Sequence, residues 1–248
     1  MLRPRTAAAL RAAEAAGIHV IVVTGRMFRS VRPYLEQAGL EEPVVCYQGA
    51  VVAEVTSGRF LRHVPIPLEL AREAIDEVQR AGFSLNCYVD DELYVAAETP
   101  GARSYADFQD LKLHIVGDLL DWLERPPTKL VVVDDPATLD GLKPELVARF
   151  DGRLFIAKSL PYFLELASPE VSKGSGMSFV AEHLGFTAER TVAFGDGEND
   201  FELLDWAGYA VAVENAHELL KARADLIVPG PDEEGVAQAI EAYLALQG

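Results

Sequence analysis

Hydrophobic residues along the chain follow two different periods. Short, mostly apolar runs occupy residues 19–23 (HVIVV), 44–47, 191–194, 209–213 and 226–228, and these runs predict strands. Stretches with helical spacing lie between them and predict helices over 1–17, 30–38, 172–184, 198–206 and 216–223, with a closing helix after residue 228. This alternation predicts an α/β fold whose core is a doubly wound parallel sheet.

The middle of the chain has a different pattern. Two short runs separated by Ser57-Gly58 predict a hairpin over 50–66, and Pro65 and Pro67 mark a boundary after it. The pattern beyond that boundary predicts helices over 68–81 and 136–150, and strands over 83–89, 92–96, 129–134, 154–157 and 163–166. We therefore predict a discontinuous core domain of residues 1–65 and 168–248, and an inserted α/β domain of residues 66–167.

Charge and composition narrow the choice of partners. Half of the 248 residues are hydrophobic, and 22 basic against 39 acidic residues give a formal net charge of -17. Such acidity argues against nucleic acid or an anionic membrane as partner, so an anionic small molecule would need a local cation. No apolar run reaches the roughly 20 residues of a membrane span and no leader pattern opens the chain, which predicts a soluble, cytoplasmic protein. The pattern leaves the oligomeric state open.

The two cysteines, Cys46 and Cys87, lie within apolar, strand-like runs. Buried thiols are the expected state for isolated cysteines in such runs. We predict core thiols rather than a disulfide or a metal pair.

An acidic motif follows the predicted strand at 191–194. In FGDGEND, two glycines allow a sharp turn, while Asp196 and Asp200 supply oxygen ligands that Mg²⁺ prefers and Asn199 is a neutral neighbour. The alternative is an acidic turn that caps the following helix. Both interpretations stay open from this motif alone.

Two further groups have chemistry suited to phosphate. Thr24-Gly25-Arg26 ends the run HVIVV with a hydroxyl, a flexible backbone and a forked cation, although an ordinary strand-to-helix turn would look the same. Lys173 stands at the start of a predicted helix, where a cation is disfavoured unless an anion or carboxylate cluster lies nearby. A surface lysine whose charge reaches solvent is the alternative.

Two weaker signals place amide side chains after strands. Gln48-Gly49 follows the run at 44–47, and Asn215-Ala216 follows the run at 209–213. Ligands of open parallel sheets bind at the carboxyl ends of strands, but turn chemistry explains these residues equally well.

The order of these groups resembles one family. VVTGR, Lys173 before a helix, GDGEND, and VAVENA with a closing EEGVAQAI resemble the haloacid dehalogenase superfamily of phosphohydrolases, in particular its Cof-type, sugar-phosphatase-like branch. The resemblance covers residues 1–55 and 168–248. The middle segment matches only in length and α/β pattern, as that branch's variable cap domain would.

The resemblance implies a role for each candidate residue. Thr24 would bind the transferring phosphoryl group, Lys173 would balance charge between phosphate and nucleophile, and Asp196 would ligate Mg²⁺, with Asp200 and Asn199 completing or orienting the metal site. The remaining phosphate or substrate contacts would come from Gly25, Arg26, Gln48, Gly49 and Asn215. Catalysis by positioning and charge neutralisation is what phosphoryl transfer requires.

The sequence departs from the family pattern in two places. The family's nucleophile is the first Asp of a D-x-D motif on a central strand that precedes the helix matched here by residues 4–16, and no D-x-D occurs in this sequence. We expect that strand to be missing through a misplaced start or a truncated chain rather than through evolved loss, leaving a gap of roughly 10 Å in the sheet. Gln48 stands where the branch usually has Asn, which affects a contact on the substrate side.

The predicted function is Mg²⁺-dependent hydrolysis of a small phosphomonoester, such as a sugar phosphate, through an aspartyl-phosphate. One alternative is phosphoryl transfer to a second substrate, as in phosphomutases. The other is non-catalytic binding of a phosphorylated ligand or of Mg²⁺.

Overall fold

The computed structural model describes residues 3–247, and the side chains of residues 3–246. The chain packs into two compact units. The core unit comprises Met1–Arg62 and Ser172–Gly248, and the inserted unit comprises His63–Val171. The first two residues of the helix predicted over 1–17 lie outside the described residues.

The elements are numbered in chain order. The helices are α1 (Pro4–Ala15), α2 (Phe28–Ala38), α3 (Leu68–Arg80), α4 (Pro100–Gln109), α5 (Leu119–Trp122), α6 (Pro136–Phe150), α7 (Lys173–Leu184), α8 (Phe201–Trp206), α9 (Glu218–Lys221) and α10 (Gly235–Gln247). The strands are β1 (Val44–Cys46), β2 (Val51–Ala53), β3 (Phe60–His63), β4 (Leu85–Val89), β5 (Glu92–Val95), β6 (Leu113–Ile115), β7 (Lys129–Val133), β8 (Phe155–Leu160), β9 (Phe163–Ala167), β10 (Val192–Gly195), β11 (Tyr209–Val213) and β12 (Leu226–Val228).

The inserted unit is built on a six-stranded sheet of order β6-β5-β4-β7-β9-β8. Neighbouring strands are antiparallel except β5 and β6. Alternate residues of β4, β7 and β9, such as Cys87, Leu130 and Leu164, are fully buried in one hydrophobic core with residues of α3, α5 and α6. Because side chains alternate between the faces of a strand, this core takes one face of the sheet.

The opposite face of the same strands carries buried polar groups. The Lys129 ammonium lies 3.2 Å from the Glu165 carboxylate, and Tyr88 donates a 2.6 Å hydrogen bond to Tyr105 of α4. Burial alone would lower the pKa of Lys129, but the Glu165 charge raises it, so the lysine stays charged. A charged side chain is tolerated this deep in a protein only when it is paired with an opposite charge.

The core unit contains two separate three-stranded sheets. One has the order β1-β2-β3, with β1 antiparallel to β2, and the other is a parallel sheet of order β10-β11-β12. Residues of α7, α8 and α9 form a hydrophobic core with the parallel sheet. The α/β class is thus confirmed, and the parallel strands place the acidic motif at the carboxyl end of β10.

The prediction of a strand over residues 19–23 is wrong. Only Val23 pairs, in an isolated parallel bridge with Val45, and the residues before it are not in a strand. One edge of the segment is bonded, since Val45 donates to the carbonyl of Val22. No strand in the described part of the chain lies along the other edge, and Val20 to Val23 are only half-buried. A β-branched run adopts a regular strand only where ladder partners exist.

Several elements were missed or differ in length. Helices α4 and α5 and strand β6 were not predicted, although Thr99 before Pro100 and Asp118 before Leu119 are helix-capping signals, and both side chains accept the expected backbone bonds. The helix expected over 198–206 begins with a 3-10 turn, and that expected over 216–223 shortens to α9.

Cys46 and Cys87 are free and buried, as predicted. Burial raises the pKa of the Cys87 thiol to about 12. Among the helices that the structure describes, none is long and apolar enough to cross a membrane.

Candidate active site

Two loops of the core unit, at residues 24–26 and 47–49, are joined by backbone hydrogen bonds. Thr24 donates to Val45, Tyr47 donates to Arg26, and Gln48 donates to Thr24, at 2.8 to 3.1 Å. The Thr24 hydroxyl oxygen accepts a 3.1 Å bond from the backbone N–H of Arg26, which leaves its proton available to a ligand. The bonds fix this hydroxyl at the end of the 19–23 segment.

The turn at 47–49 has a left-handed backbone. Tyr47, Gln48 and Gly49 have φ values of 51°, 59° and 103°. A Cβ on Gly49 would lie 2.0 Å from the carbonyl oxygen of Ser172, so the turn packs directly against the start of α7. Only glycine allows both this φ and this close approach.

We expect Gly49→Ala to lower the free energy of unfolding by about 3 kcal/mol, since the substitution adds backbone strain and a clash with backbone. Gly185→Ala is the matched control, because Gly185 also has a positive φ (80°) but nothing lies within 4 Å of an added Cβ. Urea denaturation of both variants measures the difference. Equal losses would mean that the contact with Ser172 contributes nothing.

A buried ion pair joins α7 to the acidic motif. Lys173 Nζ lies 2.5 Å from Asp200 Oδ1, and the two side chains are 9% and 5% exposed. Ser172 caps α7 and Lys173 is its first residue, so the ammonium stands at the positive end of the helix. The Asp200 carboxylate supplies the counter-charge that the sequence led us to expect.

Asp200 also organises its own loop. Its second oxygen, Oδ2, accepts 3.0 Å hydrogen bonds from the backbone N–H groups of Asp196 and Gly197. Burial alone would raise the pKa of Asp200, but the Lys173 charge and these donors hold it below its usual value. Both carboxylate oxygens are therefore in use. The capping interpretation of the acidic motif describes part of what Asp200 does.

The pKa of Asp196 is shifted in the opposite direction from that of Asp200. Partial burial and the negative charge of Asp200 raise its pKa, and Lys173 offsets this only in part. The Asp196 carboxylate thus lacks a matching positive charge, and a divalent cation would provide one. In the described part of the chain, no group of three or more His, Cys, Asp or Glu side chains is arranged to hold a metal.

The two halves of the site are linked through amide side chains. Asn199 Nδ2 donates a 3.1 Å hydrogen bond to Gln48 Oε1, across 151 positions of sequence. The Gln48 carboxamide also covers Gly25, where an added Cβ would lie 2.3 Å from Nε2. The structure therefore brings together eight of the ten candidates: Thr24, Gly25, Gln48, Gly49, Lys173, Asp196, Asn199 and Asp200.

Two candidates have other contacts. The Arg26 guanidinium lies over the Tyr34 ring, 5.8 Å from its centroid, and donates to Ser30 of α2 at 3.3 Å. Asn215 is exposed in the turn after β11, and no hydrogen bond in the described structure connects it with the Lys173–Asp200 pair. Their assignment to a substrate stays a prediction.

Sequence reasoning missed the backbone groups of the site. The N–H groups of Asp196 and Gly197 anchor Asp200, and the carbonyl of Asp196 accepts a 2.9 Å bond from His217. The spacing of Asp200, three residues after Gly197, is the available signal, because an acidic side chain at that spacing can bond back to the start of a helical turn.

A model of the haloacid dehalogenase-like hydrolase family matches residues 1–240. The chain belongs to this family. The resemblance stated from the motifs, including the Cof-type, sugar-phosphatase-like branch, is confirmed. By that resemblance, this haloacid dehalogenase-like chain is a phosphatase of the family's type.

Relatives of the haloacid dehalogenase-like chain include phosphatases. It is 27% identical over 238 residues to the 5-amino-6-(5-phospho-D-ribitylamino)uracil phosphatase YitU of Bacillus subtilis, covering 93% of this chain and 86% of the relative. It is 26% identical over 253 residues to the pyridoxal phosphate phosphatase YbhA of Escherichia coli, covering 98% and 92%. A crystal structure of a haloacid dehalogenase-like hydrolase from Bacteroides thetaiotaomicron matches with a TM-score of 0.89 at 27% identity, covering 98% and 93%.

Proposed function

We propose that this chain carries the phosphate- and Mg²⁺-binding machinery of a small-molecule phosphomonoester hydrolase that works through an aspartyl-phosphate. The observation that carries the proposal is the buried Lys173–Asp200 pair beside Asp196, at the carboxyl end of β10. Asp200 holds the Lys173 ammonium in place, and an anionic substrate of a strongly acidic protein needs such a local cation.

The residues present fit Mg²⁺. The Asp196 carboxylate is the undercompensated oxygen donor, and the Asn199 carbonyl oxygen is a neutral donor in the same loop. Mg²⁺ is commonly held by one or two carboxylates together with waters and substrate phosphate, so a cluster of three acidic side chains is not required. Asp200, whose oxygens are both bonded, would orient the loop. When bound, Mg²⁺ would neutralise charge on the phosphate oxygens.

The other residues have separable tasks in this proposal. The Thr24 hydroxyl donates to a phosphate oxygen, and the Lys173 ammonium, held by Asp200, places positive charge beside the phosphate. Attack on phosphorus needs a carboxylate that is not bonded elsewhere, and the D-x-D that would carry it does not occur in the sequence. We therefore propose that residues of this sequence bind phosphate and Mg²⁺, and that hydrolysis depends on the carboxylate of a D-x-D motif.

The proposed substrate class is a small phosphorylated metabolite. The two relatives described above are named for a phosphorylated ribitylamino-uracil and for pyridoxal phosphate, both phosphate monoesters of small organic molecules. We propose that the inserted unit selects the organic part of the substrate.

We expect Asp196→Asn to weaken Mg²⁺ binding at least about tenfold, because the substitution removes the charged oxygen donor. Calorimetric titration with Mg²⁺ measures this affinity. Asp205→Asn is the control, since Asp205 is an exposed acid on α8, bonded to Arg223. Equal Mg²⁺ affinity in Asp196→Asn and the unmodified chain would exclude Asp196 as a ligand.

A further inference from the structure

One face of the six-stranded sheet in the inserted unit carries polar side chains at buried positions. The strand register places Asn86 of β4 beside Val131 of β7, and Val131 beside Glu165 of β9, so the three form one row across the sheet. The next row pairs Tyr88 with Lys129. Side chains two positions apart on a strand share a face, so both rows lie opposite the hydrophobic core.

Helix α4 closes this face. Tyr105 of α4 accepts a 2.6 Å hydrogen bond from Tyr88, and its ring packs edge-to-face against Phe163 with the centroids 4.7 Å apart. Phe163 pairs with Val133, in the row on the other side of Asn86. Because Tyr105 contacts the rows on both sides, it lies over the row between them. Asn86 is accordingly only 3% exposed.

The Asn86 carboxamide has a nitrogen without a partner. Within residues 3–246, Nδ2 of Asn86 is the one buried side-chain nitrogen or oxygen that makes no hydrogen bond. The residues opposite Asn86 on the two neighbouring strands are Val95 and Val131, whose side chains have no acceptor. A buried amide donor is costly to leave unbonded, so Asn86 is placed to donate to a bound molecule.

The charges near this amide select the class of molecule. The Lys129 ammonium and the Glu165 carboxylate lie 3.2 Å apart and balance each other, so an ion bound here would bring an unbalanced charge into a buried site. A hydroxyl group is neutral, accepts from an amide N–H and donates to a carboxylate. The backbones of Asn86 and Glu165 are two strand spacings apart, about 10 Å, so one molecule needs several hydroxyl groups to reach both side chains.

We propose that this face binds a small neutral polyol, with Asn86 Nδ2 donating to one hydroxyl oxygen and Glu165 accepting from another hydroxyl group. The site lies within the inserted unit and does not rest on the proposed hydrolase function. Because Tyr105 closes the face, the polyol enters only when α4 lifts and the hydrogen bond between Tyr88 and Tyr105 breaks. Local opening of this kind is a normal motion of folded proteins.

The test uses erythritol, a four-carbon polyol. We expect erythritol to shift the backbone amide NMR signals of β4, β7 and α4 saturably, and to slow hydrogen exchange in α4, because the bound molecule favours the closed state. Asn86→Leu removes both polar atoms at similar volume and should weaken erythritol binding at least about tenfold. Gln37→Leu is the matched control, because it removes a carboxamide from an exposed position on α2. Equal erythritol affinity in Asn86→Leu and the unmodified chain would refute the proposal.

A second measurement decides the question if Asn86→Leu does not fold. Nuclear Overhauser effects between the side-chain amide protons of Asn86 and erythritol, in the unmodified chain, would support the site. Effects from water alone, without saturable shifts on adding erythritol, would overturn it. Acetate tests the neutrality of the ligand: it should not displace erythritol, and displacement would show that the site accepts an anion.

Discussion

Lys173→Met is expected to lower the free energy of unfolding by about 3–5 kcal/mol at pH 7, as measured by urea denaturation. The substitution keeps the volume of the side chain but leaves the Asp200 carboxylate buried without its 2.5 Å partner. An uncompensated charge at that depth is among the costliest single defects in a folded protein. Lys221→Met, which breaks a surface pair with the exposed carboxylate of Glu218, should cost less than about 1 kcal/mol.

The pH dependence of this effect identifies its cause. In the unmodified chain the pKa of Asp200 is lowered, so its contribution to stability is present above the unfolded value and is lost as pH falls through the lower folded value. Without Lys173, burial raises the pKa of Asp200 instead. The stability difference between the two proteins should therefore shrink as pH falls from 7, when the variant's carboxyl takes up a proton.

A double variant separates charge from packing. Lys173→Met with Asp200→Asn should recover part of the lost stability, because the amide is neutral and can still accept from the backbone of the acidic loop. If the double variant is less stable than Lys173→Met, the loss comes from packing and the electrostatic explanation is wrong.

Extending the chain before Met1 by a strand that ends in D-x-D is expected both to stabilise the protein and to switch on hydrolysis of p-nitrophenyl phosphate with Mg²⁺. In the described part of the chain, the 19–23 segment has a strand partner on one edge only, and β10 pairs on one edge with β11. About five strand residues at about 1 kcal/mol per ladder bond would raise the melting temperature by about 10 °C or more.

The expected gain in activity comes from the added carboxylate. A nucleophile positioned beside Thr24 and Lys173 allows a covalent intermediate, and loss of a nucleophile costs on the order of 10³-fold or more. The same extension ending in N-x-N is the control: it should give the same rise in melting temperature without turnover. Robust Mg²⁺-dependent activity of the unextended chain that Asp196→Asn abolishes would refute the need for this carboxylate.

Hydrogen exchange locates the added strand. Backbone N–H groups of 20–23 and of β10 should become protected in both extended proteins, because each would gain a ladder partner. Unchanged exchange in these two segments would show that the added residues pair elsewhere.

Local sequence determined much of this protein. Strand β11 has its predicted bounds, Tyr209–Val213, and α6 spans Pro136–Phe150 as expected, because hydrophobic periodicity and capping residues act over a few positions. Lys173 stands at the positive end of α7, where a cation is unfavourable without a nearby anion, and this predicted a carboxylate close to it. The prediction did not need the tertiary structure, because the polarity of a helix end does not depend on its surroundings.

Tertiary structure decided what depends on distant partners. HVIVV has the composition of a buried strand, yet it forms no regular strand, because a ladder is a property of neighbours that the run itself does not contain. Sequence spacing could not show that both carboxylate oxygens of Asp200 are hydrogen-bonded. It also could not show that the negative charge of Asp196 is only partly balanced by Lys173. Nor could it show that Gln48 meets Asn199, because side chains 151 positions apart are brought together only by folding.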